Sequence, residues 1–581
     1  MASDHGKNVA DCSQLIYDGF VRYNHSFFRI TDRARTRFEQ RDWVGHQSDI
    51  TARVELYEKC VQSCVSTLRK TLGRGVRERT LWNDIRDYLG ARLEQVPDAG
   101  FIKTFFNSIT RRIFGTVGID EELEFVSSAP DEGFLPLETL SLKRYPFWRS
   151  FEGIFGKVFE DFQFNVPFRD VTSDIRFISD RIYEYLGNTY PGEQPLRLDL
   201  IDSFFYQSAR AYLIGSIILK SGVSPIVIPL KNSDEGICVD AVLLHPDEVS
   251  HIFSYTRSYF FADPSSVMGA VQFLHSILPH KHIDELYTVL GRLRQGKTER
   301  YRLFSNHLAR TTDKFVLAEG DKGLVMLVFT LPSYNLVFKI IRDRFGYPKT
   351  ISRDDVIGKY KLVSKHDLAG RLIDTQEFRN LEFPVNRFDK TLLEEFRSEA
   401  ANNVHIHADQ LIIDHVYIER RVRPLNLYVR ESSPTEAEHA IIDYGQTIRD
   451  LAGTNLFPGD LLLKNFGVTR SKRVVFYDYD EVALVTECNF RDIPATGGDE
   501  ELMTPDSWTY IDKDDIFPEE FIKFLAMDNN LRSIFLKYHG DLLSPGYWRG
   551  IKADLLAGKI PTIVPYHKPE DSGYQELVIS N

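Results

Sequence analysis

Residues 457–481 read FPGDLLLKNFGVTRSKRVVFYDYDE, and this stretch decides the expected fold. Asn465 follows Asp460 by five positions and precedes Asp478 by thirteen. The side-chain oxygens of Asn and Asp suit a hard cation such as Mg²⁺, and a separate carboxylate can orient an incoming hydroxyl group. The pattern therefore indicates phosphoryl transfer, with Asp460 as the catalytic carboxylate and with Asn465 and Asp478 as metal ligands.

Protein kinases have the same order in their catalytic loop, where Asp, four residues and Asn are followed by a hairpin that carries a metal-binding Asp. Each residue alone is common in loops and helix caps. An Asp and an Asn at this spacing also occur together by chance. The strand-borne Asp478 at the expected distance makes the full pattern more specific than either part.

A second kinase-like feature lies upstream, where a glycine-containing turn precedes two runs of strand-forming residues. Gly323 begins GLVMLVFTL, and sixteen residues later Lys339 lies within NLVFKIIR. Backbone N–H groups of such a turn can approach phosphate, and a lysine on a buried strand requires an anionic partner. The alternative is an edge strand that leaves Lys339 in water. The predicted phosphate-binding turn consists of Ala318, Glu319, Gly320, Asp321, Lys322, Gly323 and Leu324.

Between these two features, the segment VYIER ends at Arg420, four residues before a proline. A kinase-like fold would place its interdomain hinge here and would bind adenine through the backbone. Glu419 and Arg420 are therefore the hinge candidates.

Composition limits the class of protein. The 581 residues are 43% hydrophobic and 27% charged, which is typical of globular proteins, and the net charge is −12. An acidic chain without a long basic run argues against nucleic-acid binding as its main function. The apolar runs are too short to span a bilayer, and five cysteines fit a reducing compartment, so we expect a cytoplasmic protein without a membrane partner.

The fold class predicted from these patterns is α+β. Residues 1–310 are predicted to be mainly helical with a small β-hairpin at 224–244, and the stretch 201–219 is included among the helices. Residues 311–581 are predicted to form a bilobal protein-kinase-like catalytic domain. The boundary is placed in the polar stretch 295–314.

Longer segments carry a resemblance to a known family. The sequences GLVMLVFTLPSYNLVFKIIRDRF, LIDTQEF, VYIERR, FPGDLLLKNFGVTR, RVVFYDYDE and NFRDIP resemble isocitrate dehydrogenase kinase/phosphatase, as do DGF, RFEQRDW and TFFNSIT in the first half. The resemblance extends over nearly the whole chain, and its motifs are long and specific.

The resemblance implies a bifunctional cytoplasmic enzyme with a helical N-terminal regulatory domain. Such an enzyme uses ATP, and releases ADP, to phosphorylate a serine of NADP-dependent isocitrate dehydrogenase, and it also removes that phosphate. It thereby controls flux between the tricarboxylic acid cycle and the glyoxylate bypass. The implied metal is Mg²⁺, with Mn²⁺ as an alternative, and AMP is the implied allosteric effector near the domain junction. The protein partner is isocitrate dehydrogenase, and a homodimer is left open.

By the same resemblance, the family's phosphatase-linked aspartate falls on Asp374 in IDTQEF. A helix cap is the alternative, because Asp-Thr-Gln-Glu has the pattern of a capping box. The loop at 489–506 is expected either to engage the protein substrate or to be an ordinary solvated loop.

Departures from ordinary protein kinases concern the same site. Pro458 and Gly459 precede Asp460 where His-Arg is usual, Asp480 occupies the position of the DFG glycine, and no Ala-Pro-Glu follows. The hypothesis for Asp480 is a second metal-binding carboxylate. No glutamate lies between Lys339 and residue 377, so the usual Lys–Glu pair is in doubt and the partner of Lys339 stays open.

Two other functions share part of this pattern. An ATP-dependent small-molecule phosphotransferase would use the same acid, amide and metal ligands. A catalytically inactive nucleotide-binding scaffold would not need to retain Lys339, Asp460, Asn465 and Asp478 together.

Overall fold

The computed structural model describes residues 2–94, 96, 99–126, 140–254, 259–347, 349, 351–366, 368–493, 512, 514–525, 527–559, 563 and 566. Most of the 489–506 loop lies outside these residues. No helix in the described part of the chain is both long and apolar enough to cross a membrane.

The N-terminal half combines helices with a β-sheet. Its helices are α1 (Ala2–Gln40), α2 (Trp43–Leu72), α3 (Arg79–Arg92), α4 (Ala99–Phe114), α5 (Phe151–Asp161), α6 (Val171–Thr189), α7 (Pro246–Ile252), α8 (Val267–Ile277), α9 (Ile283–Val289) and α10 (Leu293–Arg310). Its strands are β1 (Leu142–Pro146), β2 (Arg197–Ile201), β3 (Phe205–Gln207), β4 (Arg210–Ile218), β5 (Val223–Ser233) and β6 (Gly236–Val239).

Helices α1–α4 form a bundle around a core rich in aromatic rings. In α1, Phe20, Tyr23 and Phe27 lie on one apolar face at helical spacing, and all three are buried. Phe20 meets Phe101 of α4 and Tyr23 meets Tyr57 of α2, both edge to face, while Tyr57 and Phe101 stack on each other. The predicted amphipathic helices in this region are confirmed.

The sheet of this half has the strand order β1-β2-β4-β5-β6, with β3 paired to β4. The predicted hairpin is present as β5–β6, and it is part of this larger sheet, which the sequence did not predict. The predicted helix at 201–219 is wrong, because that stretch forms β3 and β4. Helices cover both faces of β4, and a strand buried on both faces has a continuous apolar run that resembles a buried helix.

The C-terminal half contains two lobes. Its helices are α11 (Arg353–His366), α12 (Lys390–Glu399), α13 (Leu425–Glu431), α14 (Pro434–Gly453), α15 (Phe521–Phe524), α16 (Asn529–His539) and α17 (Pro545–Leu556). Its strands are β7 (Val316–Leu317), β8 (Met326–Thr330), β9 (Leu336–Ile341), β10 (Gln376–Pro384), β11 (Val404–His407), β12 (Gln410–Arg420), β13 (Arg423–Pro424), β14 (Leu456–Phe457), β15 (Phe466–Val468), β16 (Val474–Phe476), β17 (Ala483–Leu484), β18 (Asn489–Phe490) and β19 (Asp515–Ile516).

The upper lobe is an antiparallel sheet with the order β10-β12-β9-β8-β7, and β11 pairs with β12. The two predicted runs of strand-forming residues on either side of Pro332-Ser333-Tyr334 do form strands, and they pair antiparallel, with Val328 of β8 opposite Lys339 of β9. The lower lobe is mainly helical, with α14 and α16 in contact, and carries the hairpin β15–β16. The candidate site lies where the hairpin meets β9 and β12.

Glycine at position 215 allows β4 to approach β2. A Cβ built there would lie 2.2 Å from the backbone oxygen of Asp199. We expect Gly215→Ala to lower the free energy of unfolding by about 2 kcal/mol, as overpacking does. Gly156 in α5 is the matched control because a Cβ there meets nothing within 4 Å. Gly156→Ala should therefore stabilise the protein by about 0.5–1 kcal/mol through helix propensity. Urea unfolding of both variants checks this, and an unchanged Gly215→Ala midpoint would contradict it.

Candidate active site

Lys339 is buried in the middle of β9, and its ammonium group has two oxygen partners. The Nζ atom lies 2.5 Å from Oε1 of Glu419 and donates to the backbone oxygen of Tyr477 at 2.8 Å. Both side chains of the ion pair are nearly inaccessible to solvent. A buried charge is tolerated when it is paired and hydrogen-bonded, so this pair satisfies the condition that a lysine on a buried strand imposes.

Glu419 thus supplies the carboxylate partner that the sequence left open. It lies on β12 opposite Val337 of β9, and its second oxygen, Oε2, accepts a hydrogen bond from Thr375 at 2.8 Å. The side chain of Arg420 is also engaged, with Asp284 and Glu285 of α9. Both hinge candidates therefore have structural side-chain roles, while adenine binding by their backbone stays a prediction.

The catalytic-loop candidates are held by local hydrogen bonds. One carboxylate oxygen of Asp460 accepts from the backbone N–H of Leu462 at 3.0 Å, and the amide of Asn465 donates to the backbone oxygen of Asp460 at 3.2 Å. Gly459 has φ +80°, and a Cβ there would lie 2.5 Å from the backbone oxygen of Glu481. Only glycine allows this close approach, which places the loop against the segment that carries Asp478 and Asp480.

The hairpin β15–β16 brings Asn465 and Asp478 to the same end. Phe466 lies opposite Phe476, and the backbone N–H of Tyr477 donates to the backbone oxygen of Asn465 at 3.2 Å. Asn465 directly precedes β15, and Asp478 lies two residues after the end of β16, so the two predicted metal ligands flank the paired strands. This register explains why the thirteen-residue separation in sequence becomes a short separation in space.

Asp478 and Asp480 form an acidic pair next to two lysines. Burial, followed by repulsion from Asp480, raises the pKa of Asp478 to about 7, although Lys339 and Lys349 oppose the shift. Lys349 lies 3.0 Å from Asp480 and also contacts Glu481. Burial likewise raises the pKa of Asp460 above its ordinary value.

These residues fit a divalent cation. Among the described residues there is no group of three or more His, Cys, Asp or Glu side chains suited to a metal, so a metal held entirely by such groups is not indicated. Mg²⁺ instead uses one or two carboxylates and completes its shell with phosphate oxygens and water. Such an ion would reduce the electrostatic repulsion between the two buried carboxylates.

The predicted phosphate-binding turn joins β7 to β8 and is mostly exposed. Gly320 has φ +114°, a conformation that favours glycine. The backbone oxygen of Gly323 accepts from Nε of Arg342 at 3.0 Å, and Lys322 pairs with Glu395 of α12 at 2.7 Å. The turn is thereby anchored at its second glycine, whereas a Cβ built on its first, Gly320, would meet nothing within 4 Å.

Asp374 is buried at the junction with the N-terminal half. Its Oδ2 accepts from Arg300 of α10 at 2.6 Å and from Gln376 at 2.8 Å, while Oδ1 is buried and has no hydrogen-bond partner among the described residues. The helix-cap alternative is wrong, because the residues that follow Asp374 form β10. The next residue, Thr375, contacts Glu419, so the segment adjoins the Lys339 pair.

The structure brings Lys339, Asp460, Asn465, Asp478 and Asp480 to one region. Sequence reasoning missed the pairing role of Glu419, and it missed Lys349 and Arg300 altogether. A signal for Glu419 was present, since it ends the apolar run VYIE, and a buried glutamate requires a cation as much as a buried lysine requires an anion.

A sheet lobe with a buried Lys–Glu pair, above a helical lobe with an Asp-Asn loop and an acidic hairpin, defines the protein-kinase-like fold class. Family models agree with this. The model described as the kinase domain of isocitrate dehydrogenase kinase/phosphatase (AceK) matches residues 313–568, and the one described as its regulatory domain matches residues 13–312. The chain belongs to the isocitrate dehydrogenase kinase/phosphatase family.

Curated relatives carry the same name. One from Anaeromyxobacter sp. (strain Fw109-5) is 42% identical over 95% of this chain and 96% of its own length. One from Xanthomonas euvesicatoria pv. vesicatoria (strain 85-10) is 44% identical over the same shares of the two chains. Among solved structures, the granulovirus kinase PK-1 of Cydia pomonella covers 48% of this chain at 13% identity with a TM-score of 0.19, a likeness too weak to inform the fold.

The raised pKa of Asp478 predicts how metal binding depends on pH. Below a pH of about 7 the carboxyl group holds a proton that a metal ion must displace, so affinity should fall about tenfold per pH unit there and level off above it. Mn²⁺ binding to the full-length protein, followed by electron paramagnetic resonance from pH 5.5 to 8.5, measures this. Asp478→Asn should bind Mn²⁺ weakly with a flattened pH profile. A wild-type affinity independent of pH would contradict the assignment.

Proposed function

We propose that this chain transfers the γ-phosphoryl group of ATP to isocitrate dehydrogenase and also removes that phosphate. The observation that carries the proposal is the buried Lys339–Glu419 pair, whose ammonium group also binds the backbone at the base of Asp478. This contact connects a phosphate-binding cation to a metal-binding acid within one cleft. Family membership over nearly the full chain supports the protein substrate.

In the proposed kinase reaction, Lys339 binds the α- and β-phosphates and Glu419 holds its ammonium group in place. Asp460 orients a serine hydroxyl and accepts its proton, for which its raised pKa is favourable. Asn465 and Asp478 would hold Mg²⁺, or Mn²⁺ in its place, which neutralises phosphate charge when bound. Asp480 is a candidate for a further ligand, and Lys349 limits its freedom to move.

The proposed phosphatase reaction uses the same cleft. Either a water molecule takes the place of the serine hydroxyl, or phosphate returns to ADP and the resulting ATP is hydrolysed. Asp460 and the metal ligands serve both routes. Asp374 would favour hydrolysis by orienting water or substrate, and its unpartnered Oδ1 is the atom available for this.

Several finer properties belong to the proposal. Serine is the acceptor, and the activity controls flux between the tricarboxylic acid cycle and the glyoxylate bypass in the cytoplasm. AMP acts as an allosteric effector near the domain junction, where Arg300 and Arg420 join α9 and α10 to the catalytic half. Whether the chain forms a homodimer is left open and is measured by analytical ultracentrifugation.

Labelled-phosphate transfer tests the main proposal. The full-length protein with γ-labelled ATP, Mg²⁺ and purified isocitrate dehydrogenase should label the substrate, and exchange into unlabelled ADP should then remove the label. Lys339→Met and Asp478→Ala should each lower labelling by at least about 10²-fold, because phosphate and metal charges lose their partners. Lys472→Met is the matched control, since Lys472 is exposed and outside the cleft.

Labelling of glucose or an aminoglycoside in place of the protein would favour the small-molecule alternative, and no transfer at all would favour the scaffold.

Asp374→Ala should separate the two activities. We expect phosphatase activity to fall about 10²-fold, as for loss of a group that positions water, while kinase activity changes little. Asp374→Asn retains the shape of the side chain and serves as the control for packing around Arg300. Both rates are measured on phosphorylated and unphosphorylated substrate, with the melting temperature of each variant. Equal loss of both activities would mean that Asp374 is structural.

A further inference from the structure

A cavity of about 930 Å³ lies outside the cleft, beside the upper sheet. It is bounded by the start of α11, by β10 and β12, and by the turn before β11, and its lining includes none of Lys339, Asp460 or Asp478. Its volume falls within the range of about 300–1,000 Å³ that small-molecule sites occupy. The cavity is therefore large enough for a metabolite-sized ligand that is distinct from ATP.

Four cationic side chains line this cavity, and one of them has no acidic partner among the residues that the structure describes. Arg342 pairs with Glu395, Lys349 with Asp480, and Arg379 with Glu377; these three cations are neutralised within the protein. Arg353 instead donates only to neutral acceptors, the backbone oxygen of Ile341 at 3.3 Å and Oδ1 of Asn403 at 3.2 Å.

Arg353 is partly buried, and the described residues contain no carboxylate within ion-pairing distance of it. A partly desolvated guanidinium without a carboxylate favours an anion, because charge-assisted hydrogen bonds are about twice as strong as neutral ones.

His415 provides the second, independent indication of a ligand. Its side chain lines the cavity and is only 9% exposed. Its Nε2 lies 3.1 Å from Glu377, and its Nδ1 is buried without a hydrogen-bond partner among the described residues. Since the carboxylate must accept, Nε2 carries the proton and Nδ1 is an acceptor in the neutral ring.

Asp343 provides a second buried acceptor without a hydrogen-bond partner among the described residues. Its Oδ2 accepts from the backbone N–H of Asn402 at 3.0 Å, and its Oδ1 is buried with no hydrogen-bond partner in the described part of the chain. Buried polar atoms are nearly always satisfied, so two unfilled acceptors in one cavity call for a donor from outside the chain. Hydroxyl groups on the ligand would meet both.

Two of the lining cations also hold the catalytic cleft. Arg342 donates to the backbone oxygen of Gly323 in the phosphate-binding turn, and Lys349 pairs with Asp480 beside the metal ligands. A ligand that moves either side chain would change the geometry around ATP. The cavity and the cleft therefore share two residues, one bound to the predicted phosphate-binding turn and one paired with Asp480.

We propose that this cavity binds a small organic anion that carries hydroxyl groups, with the anionic group on Arg353 and the hydroxyls on His415 and Asp343, and that its occupancy changes ATP binding in the cleft. The anionic group is a carboxylate or a phosphate ester, and the two are distinguished by the probes below.

Binding is tested by isothermal titration calorimetry on the full-length protein without metal, using citrate and glycerol 3-phosphate as the carboxylate and phosphate probes. At least one should bind, and Arg353→Gln should weaken it at least about tenfold, as loss of a charged hydrogen bond does. Arg344→Gln is the matched control, because Arg344 is exposed, adjacent and not part of the lining. Tricarballylate, which lacks the hydroxyl group of citrate, should bind more weakly than citrate.

A second variant guards against misfolding of the first. Asn402 is exposed and lines the cavity, so Asn402→Trp should retain the wild-type melting temperature and block binding. Asp460→Asn, which keeps the shape of the side chain in the cleft, should bind the probe as the wild type does, because the cleft is elsewhere. The proposal is overturned if neither probe binds, if Arg353→Gln binds normally, or if Asp460→Asn abolishes binding.

Coupling to the cleft has its own readout. With Mg²⁺ present, saturating glycerol 3-phosphate, or citrate at fixed free Mg²⁺, should change the KM for ATP at least about twofold in the wild type and in Arg344→Gln, and not in Arg353→Gln. An unchanged KM in a wild type that binds the probe would refute the coupling and leave a binding site alone. Because binding is measured without catalysis, failure of the proposed kinase reaction does not affect that result.

Discussion

The rest of the catalytic half depends on one buried ion pair, Lys339 with Glu419. Neither charge can remain in the interior alone, since an unpaired buried charge costs several kcal/mol. The pair therefore joins β9 to β12, and through the backbone of Tyr477 it fixes the upper sheet against the acidic hairpin. The predicted phosphate-binding and metal-binding groups are held at one place because the same ammonium group contacts both elements.

A second buried network joins the two halves of the chain. Arg300 of α10 bridges Asp284 and Asp374, and Arg420 at the end of β12 bridges Asp284 and Glu285. Arg420 follows Glu419 directly, so a shift of α9 or α10 would reach the Lys339 pair through one peptide bond. A regulatory half that is anchored in this way can influence the cleft without contributing a residue to it, which suits a protein with two opposed activities better than a simple phosphotransferase.

Much of the site was predictable because its residues obey local rules. The Asp-Asn-Asp spacing, the strand that carries Lys339 and the glycine-containing turn are short-range patterns that strand pairing and turn chemistry impose. The six-stranded sheet of the N-terminal half was not predictable in this way. Strands such as β4 are covered by helices on both faces, so their apolar runs lose the alternation that marks a strand.

The sequence by itself determined the family, the order of the chemical groups and the need of Lys339 for an anion. Only the tertiary structure decided which anion that is, because the partner lies eighty residues away on a strand that is adjacent through register and not through sequence. The same holds for Asp374, whose contact with Arg300 crosses from one half to the other. Local patterns specify chemistry, whereas partners for buried charges are chosen by packing between distant segments.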